Sequence, residues 1–487
     1  MEGLRLFALI GLVAYFAVLL FAVMREKKNR NVLDYFFGGR TLPFWALSIT
    51  FVASWWGAGS AIETADQAYN EGIGAFWYYG VPVLLSSGLL IFAAKAIRRV
   101  GYLTQGKMMS ARYSPAVSGF LSVLILLFML FNAASQMVGI GMFFGTYLGM
   151  NYEVAVLVGT GIVLIYSMFG GFRGVVLTDI IQFVLLFFSV VAVFAVALWQ
   201  AGGVSEIVAA ADTAGKVGYF SPFAGASKYL AYVITFGSAW AIQANVWQRV
   251  SAARNDGDAR KMAVLSFAAY IPLYLIVVFT GMAGLALFGV MPEGGVVTAV
   301  VMRYMHPVLG ALAFVGISAA IMSTMDSLIN TAAMTLVLDL MPSRRSETAA
   351  LAMSRVATLA VTCLALLVSL RIRSILEVSR IASDIITTGI FVPLVMGFFW
   401  RRGNTKGALA SMAVGFVYCA YGLLAEFGVP LLVLGAPGSA LPILAGIGLS
   451  LAVYIGVSLC TASEYDKADA FMALVRSERS VAPVSGR

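Results

Sequence analysis

AAIMSTMDSLINT, residues Ala319–Thr331, lies inside an apolar run from about Pro307 to Leu338 that is long enough to cross a bilayer. On a helix, Ser323, Asp326, Ser327, Asn330 and Thr331 fall at i, i+3, i+4, i+7 and i+8, so they line one face. That face is a column of oxygen ligands within an otherwise apolar span. A carboxylate at membrane depth costs roughly 2.5–3.5 kcal/mol on insertion scales, so Asp326 should face a cavity or a partner and not lipid. Hard cations choose such surroundings. The hydroxyls alone also fit back-bonding to their own helix, with the Asp gluing helices together; the buried carboxylate favours a functional face.

Composition fixes the class around this stretch. Of 487 residues, 61% are hydrophobic and 11% charged, and the mean hydropathy is +0.92, whereas soluble domains average about 25% charged residues. The chain therefore reads as a polytopic membrane protein whose first partner is the lipid bilayer. The net charge of +9 does not point to nucleic acid, because the basic residues sit in short loops between apolar runs, as inner-face anchors do. Cys363, Cys419 and Cys460 are scattered without metal-ligand spacing and read as small core residues. A lone His306 cannot build a metal site and reads as a loop residue before a proton relay.

Thirteen apolar runs follow in order. Leu4–Met24 ends in Arg25, Lys27, Lys28 and Arg30, the reverse of a cleaved signal peptide, which predicts a retained helix with its N-terminus outside. Pro43–Ala68 carries Gly57 and Gly59 in ASWWGAGS (Ala53–Ser60), the mark of a helix that unwinds at mid-depth. Gly74–Ala94, Ala116–Gly149, Val154–Phe169 and Val175–Trp199 complete a first group, and 201–226 reads as an outer loop. Tyr229–Trp247, with Gly237, Ser238, Gln243 and Asn245, restarts the pattern as a second interrupted helix before a basic loop Arg249–Lys261. Ala263–Phe288, Pro307–Leu338, Ala349–Leu370, Ile375–Trp400, Gly407–Phe427 and Leu441–Cys460 precede a charged tail. Interrupted helices opening two five-helix halves are the sequence sign of an inverted-repeat transporter. From an external N-terminus most of the 32 Lys and Arg fall inside, and only Arg5, Lys216, Lys228, Arg303, Arg371, Arg373 and Arg380 fall at the outer side.

At Gly170–Phe183, GGFRGVVLTDIIQF, the chain resembles the sodium:solute symporter family, as it does in ASWWGAGS, AAIMSTMDS and Ala382–Ala408. The resemblance runs along essentially the whole length. It implies an all-α fold of two inverted five-helix repeats with broken first helices, the LeuT-like arrangement. The expected parts are an extra N-terminal helix (4–24), repeats over 43–200 and 227–400, two extra helices (407–461) and a cytoplasmic tail (463–487). It also implies secondary active transport by alternating access, with Na+ as the coupling ion, a small organic solute as cargo and no other cofactor. By residue matching, a first Na+ would take carbonyls of Ala53, Trp56 and Ala320 and hydroxyls of Ser323 and Thr324. A second would use Asp179 with Ser323, Asp326 and Ser327. Helical rise places Asp179 and Asp326 at a similar depth, in agreement with that pairing.

The resemblance sets the substrate cavity at Trp55 and Gly57 against the seventh run around Trp240 and Gln243. Gln248-Arg249-Val250 and Gly101–Thr104 look most like the branch that contains high-affinity choline transporters. Choline recognition needs an aromatic cage; Trp55 matches one position, and Asn132 and Gln243 stand at two others. The solute class stays open among amino acids, betaines or choline, sugars, monocarboxylates and vitamins. Glu63 and Asp66 would either attract a cation at the outer vestibule or cap a broken helix. An ATP-driven pump is disfavoured because no G-x4-GK-[ST] loop occurs, and an enzyme because one histidine leaves little catalytic material. A membrane sensor on a transporter core, or a symporter driven by protons, remains the alternative. The expected location is a bacterial inner membrane; the oligomeric state is left open.

Overall fold

In the computed structural model, the described residues are 2–25, 32–341, 347–426, 429 and 440–477, and every regular element among them is helical. Lys27, Lys28, Arg30, Arg344, Arg345 and the end of the expected tail lie outside them. The ends of the long helices follow from local chemistry. Ser114 caps the start of Pro115–Leu148, where Pro115 already has the φ a helix needs, and Gly149 at φ 71° ends it. Asn255 accepts the Asp258 N–H at 2.8 Å to open Asp256–Leu287. His306 accepts from the Val308 N–H at 3.4 Å at the start of Pro307–Thr335 and is exposed, a capping loop residue as expected.

Pro307–Thr335 is the axis of the fold. Its most apolar window is 83% buried, against 28% for the N-terminal helix, so it is the one that protein surrounds while the others show a face to lipid. It packs against Tyr152–Gln200, Pro115–Leu148 and Glu2–Arg25. Small residues allow that approach: a Cβ on Gly316 would stand 1.9 Å from the Ser189 hydroxyl and 2.5 Å from the Leu185 carbonyl. Nine helices among the described residues are long and apolar enough to cross a membrane, or ten if the pair Ile375–Gly389 and Phe391–Phe399, bent by 42°, is one span. Phe44–Trp55 and Tyr152–Met168 are shorter apolar helices beside them.

Besides that bent pair, both segments expected as interrupted helices are broken among the described residues. The first helix runs Phe44–Trp55, leaves helical geometry at Trp56 (φ −93°, ψ 66°), passes a π turn at Gly59–Glu63 and resumes as Thr64–Glu71. The second runs Leu230–Ala241 and Ala244–Ala252. Its break lies at Ile242 and Gln243 and not at Gly237, which stays helical and lends its carbonyl to the Ser86 hydroxyl at 2.9 Å.

The fifth and sixth runs are two helices, Tyr152–Met168 and Gly170–Gln200, meeting at a sharp kink at Gly171 (φ 54°, ψ −162°), a conformation open essentially to glycine alone. Other expectations are corrected. The expected outer loop contains a helix, Val204–Thr213. Arg249, taken from the sequence as the start of a basic loop, is helical and fully buried. Cys363 and Cys460 are exposed on their helices, and only Cys419 is a core residue.

Candidate ion and solute site

The break at Trp56 ends the helix early and frees carbonyls of its last turn, which a regular helix would have paired four residues on. The Ala53 carbonyl instead accepts the hydroxyls of Ser323 and Thr324, both at 3.0 Å. The same hydroxyls reach the Ala320 carbonyl at 2.9 and 3.3 Å. Four neutral oxygens of the expected first Na+ set thus converge between the broken helix and the axial one. Trp56, the fifth member, sits at the break itself. All five residues are buried, Thr324 being the most open at 6%. A dry set of hydroxyl and carbonyl oxygens without a carboxylate suits a hard monovalent cation: each hydroxyl turns its proton away and offers a lone pair.

Beside this set lies a narrow cavity with about 30 Å³ of space open to a water molecule, so a solute larger than water needs the surrounding side chains to move apart. Trp55, Gly57, Asn132, Trp240 and Gln243, all five expected solute residues, line it, and so does Thr324 from the ion set. The breaks make the space. Gly57 lets Gln136 come close, because a Cβ would stand 2.1 Å from the Gln136 side-chain oxygen and displace it. That oxygen accepts the Ala58 N–H at 2.9 Å and so caps the resumed half of the helix.

One wall of the cavity is aromatic. Trp55 lies 6.1 Å from Trp240 and 6.1 Å from Tyr270 between ring centres, and Trp240 lies 5.2 Å from Tyr79. The other wall is neutral and polar: Ser54, Ser60, Asn132, Gln136, Gln243 and Ser379, with no Asp, Glu, Lys or Arg in the lining. Trp55 Nε1, Asn132 Nδ2 and Gln243 Oε1 are buried without a hydrogen-bond partner among the described residues. Such orphaned groups are what a polar solute would satisfy. Sequence reading missed Gln136, though it stands four residues from Asn132 on one helix face and so carried a signal. Tyr79 and Ser379 carried none.

Deeper along the axial helix, a second polar cluster surrounds Arg249. Thr50 donates to Asp179, Ser167 donates to Asp326, and Ser54 and Ser327 lie 3.1 Å apart. The Arg249 guanidinium reaches Asp179 at 3.4 Å and Ser327 at 2.7 Å. Asp179, Asp326 and Ser327, the residues expected around a second Na+, are therefore in one region, together with a side-chain cation that the sequence did not place there. Gln182 of the same motif donates to Tyr15 at 2.7 Å and docks the N-terminal helix. Glu63 and Asp66 do not line the cavity: Glu63 accepts from the Tyr78 hydroxyl at 2.8 Å, and Asp66 accepts the Val296 N–H at 2.7 Å, capping the helix Val296–Tyr304.

A helical protein with nine or ten candidate membrane spans among its described residues, two interrupted helices, and a cavity and a cluster of neutral oxygens between them fits the class of secondary transporters. The sodium:solute symporter family model matches residues 35–415, and the chain belongs to that family. Curated relatives include the osmoregulated proline transporter OpuE of Bacillus subtilis, 26% identical over 91% of this chain and 94% of that protein. The sodium/pantothenate symporter of Escherichia coli is 27% identical over 88% and 92%. The high-affinity choline transporter 1 of Caenorhabditis elegans is 26% identical over 84% and 77%. Among solved structures, a Na+-coupled sialic acid symporter in a substrate-bound outward-open state aligns with TM-score 0.76 at 18% identity, over 95% of this chain and 98% of that one. The nucleobase-cation-symport-1 family transporter MHP1 aligns with TM-score 0.59 at 15% identity. The fold is thus that of LeuT-like transporters, and the family supports sodium-coupled solute uptake as the coarse function.

Proposed function

We propose that this protein couples inward sodium flux to uptake of a small polar organic solute, with Na+ at Ala53, Trp56, Ala320, Ser323 and Thr324 and the solute against Trp55, Gly57, Asn132, Trp240 and Gln243. One observation carries the reading: Thr324 both bonds the Ala53 carbonyl and lines the cavity. An ion there ties the broken end of the first helix to the axial helix. The position of Trp55 and Gly57, and hence the shape of the cavity, follows the ion. Solute in the cavity stabilises the same arrangement, so each ligand raises the affinity of the other by one shared factor.

Asp179, Asp326 and Ser327 form the second cation set of this reading. Thirteen crossings follow if each broken helix and Tyr152–Met168 counts as a span, with inverted repeats over 43–200 and 227–400. The placement is a bacterial inner membrane, N-terminus outside and C-terminus in the cytoplasm. The lining without ionised groups favours a solute that brings neutral donors and acceptors or a compensated charge.

The test is a thermal-shift screen of amino acids, betaines, sugars, monocarboxylates and vitamins in Na+ against K+, followed by uptake of the hit into proteoliposomes. A ligand at 100 times its Kd adds about 2.7 kcal/mol of stability. Stabilisation by a solute in Na+ alone, with accumulation driven by a sodium gradient, is the expected result. Accumulation driven equally by a proton gradient without sodium would replace the coupling ion, and binding without accumulation would make the protein a sensor.

A further inference from the structure

Arg249 is fully buried on the resumed half of the second broken helix, six residues past Gln243, and every nitrogen of its guanidinium is engaged. Nε donates to the Thr50 carbonyl at 3.2 Å and hydroxyl at 3.1 Å, Nη1 to the Asn245 carbonyl at 2.8 Å, and Nη2 to Ser327 at 2.7 Å and Asp179 at 3.4 Å. The acceptors come from the first broken helix, the kinked helix, the axial helix and, through the Asn245 carbonyl, Arg249's own helix. They are a carboxylate, two hydroxyls and two carbonyls. Asp179 and Ser327, two of the residues expected around a second sodium ion, are thus already engaged by the guanidinium.

We propose that Arg249 is the resident cation of the second set: its guanidinium stands where a second sodium would stand between Asp179 and Ser327, so the protein binds one sodium ion and not two. The inference rests on the reading of Asp179, Asp326 and Ser327 as a cation site. Guanidinium is weakly hydrated and always charged, so it enters a dry site more readily than an ion that must shed its water. Asp179 and Arg249 pair as a neutral couple, so the carboxylate that a sodium ion would draw on is already compensated by the guanidinium. Tethering also removes the translational freedom that a free ion loses on binding. Asp326 is held by Ser167 and contributes no contact to the guanidinium. The site keeps its cation without drawing on the sodium gradient.

The experiment counts sodium directly, with no solute needed: equilibrium binding of radioactive sodium to the purified protein at saturating concentration. One ion is expected for the wild type, two for Arg249→Gln, one for Arg249→Lys, and one for Asp179→Asn/Arg249→Gln, which removes both charges. Two ions in the wild type overturn the inference. So does an Arg249→Gln count equal to the wild-type count. If the wild type binds none, the first-site reading fails, yet a gain of one ion in Arg249→Gln still upholds the role of Arg249. Should Arg249→Gln fold only when purified in sodium and not in potassium, that rescue also upholds it. Equal failure in both salts, with the double variant folded, overturns it.

Discussion

Ser323 illustrates how much rests on single oxygens. Its hydroxyl bridges the Ala53 and Ala320 carbonyls, and alanine would leave an ion one ligand short in a site that water does not reach. Ser323→Ala is expected to raise the sodium concentration for half-maximal thermal stabilisation at least tenfold, about 1.4 kcal/mol of ion affinity; an unchanged sodium titration would remove the ion assignment. Trp55→Ala and Gln243→Ala lie in the cavity and off the ion set. Both are expected to raise solute KM about tenfold or more while the sodium titration stays as in the wild type, because each removes a solute contact and no ion ligand. If sodium stabilisation is lost with them, these side chains hold the fold and not the solute. Gln136 was legible in principle, through its helical spacing from Asn132. Tyr79 reaches the cavity only because its ring packs on Trp240 and Phe236, neighbours far away in the chain that no local pattern announces.

The elements owe their function to where they stop being regular. Breaks at Trp56 and Gln243 expose backbone groups inside the membrane, tolerable only where protein or a polar cavity receives them. Glycine at 57 and 59 announced the first break in the sequence. The second was announced with less precision, because Gly237 invited a break that helix packing against Ser86 does not permit, while Gln243 carries it. Gly171 makes the fold between Tyr152–Met168 and the rest of its element. Gly171→Ala is expected to destabilise the protein by about 1–3 kcal/mol, because an L side chain is strained at φ 54°, ψ −162°. The measurement is the thermal midpoint in a fixed detergent and salt. A midpoint within a degree of wild type would mean the kink relaxes at no cost.

At the scale of the whole molecule, sodium and solute should act through one equilibrium. Stabilisation by the solute is expected to grow with sodium concentration, and stabilisation by sodium to grow with solute by the same factor, read from a grid of thermal midpoints. Additive shifts would mean the two sites are uncoupled. Orientation is checked by labelling: with native cysteines replaced, Ser463→Cys, exposed in the structure, should react in inside-out vesicles and stay silent in right-side-out ones. The sequence by itself determined the membrane class, the broken first helix and the axial helix with its oxygen face. These are properties of hydropathy, helical spacing and local motif, which neighbouring residues encode. Only the tertiary structure decided what stands opposite that face. Arg249 read as a loop anchor because it is followed by charged residues, yet its partner Asp179 lies 70 positions away, and their ion pair is what lets a guanidinium exist in the core. Charge in a sequence reports its neighbours along the chain; in a dry interior its meaning is set by the opposite charge that folding brings to it.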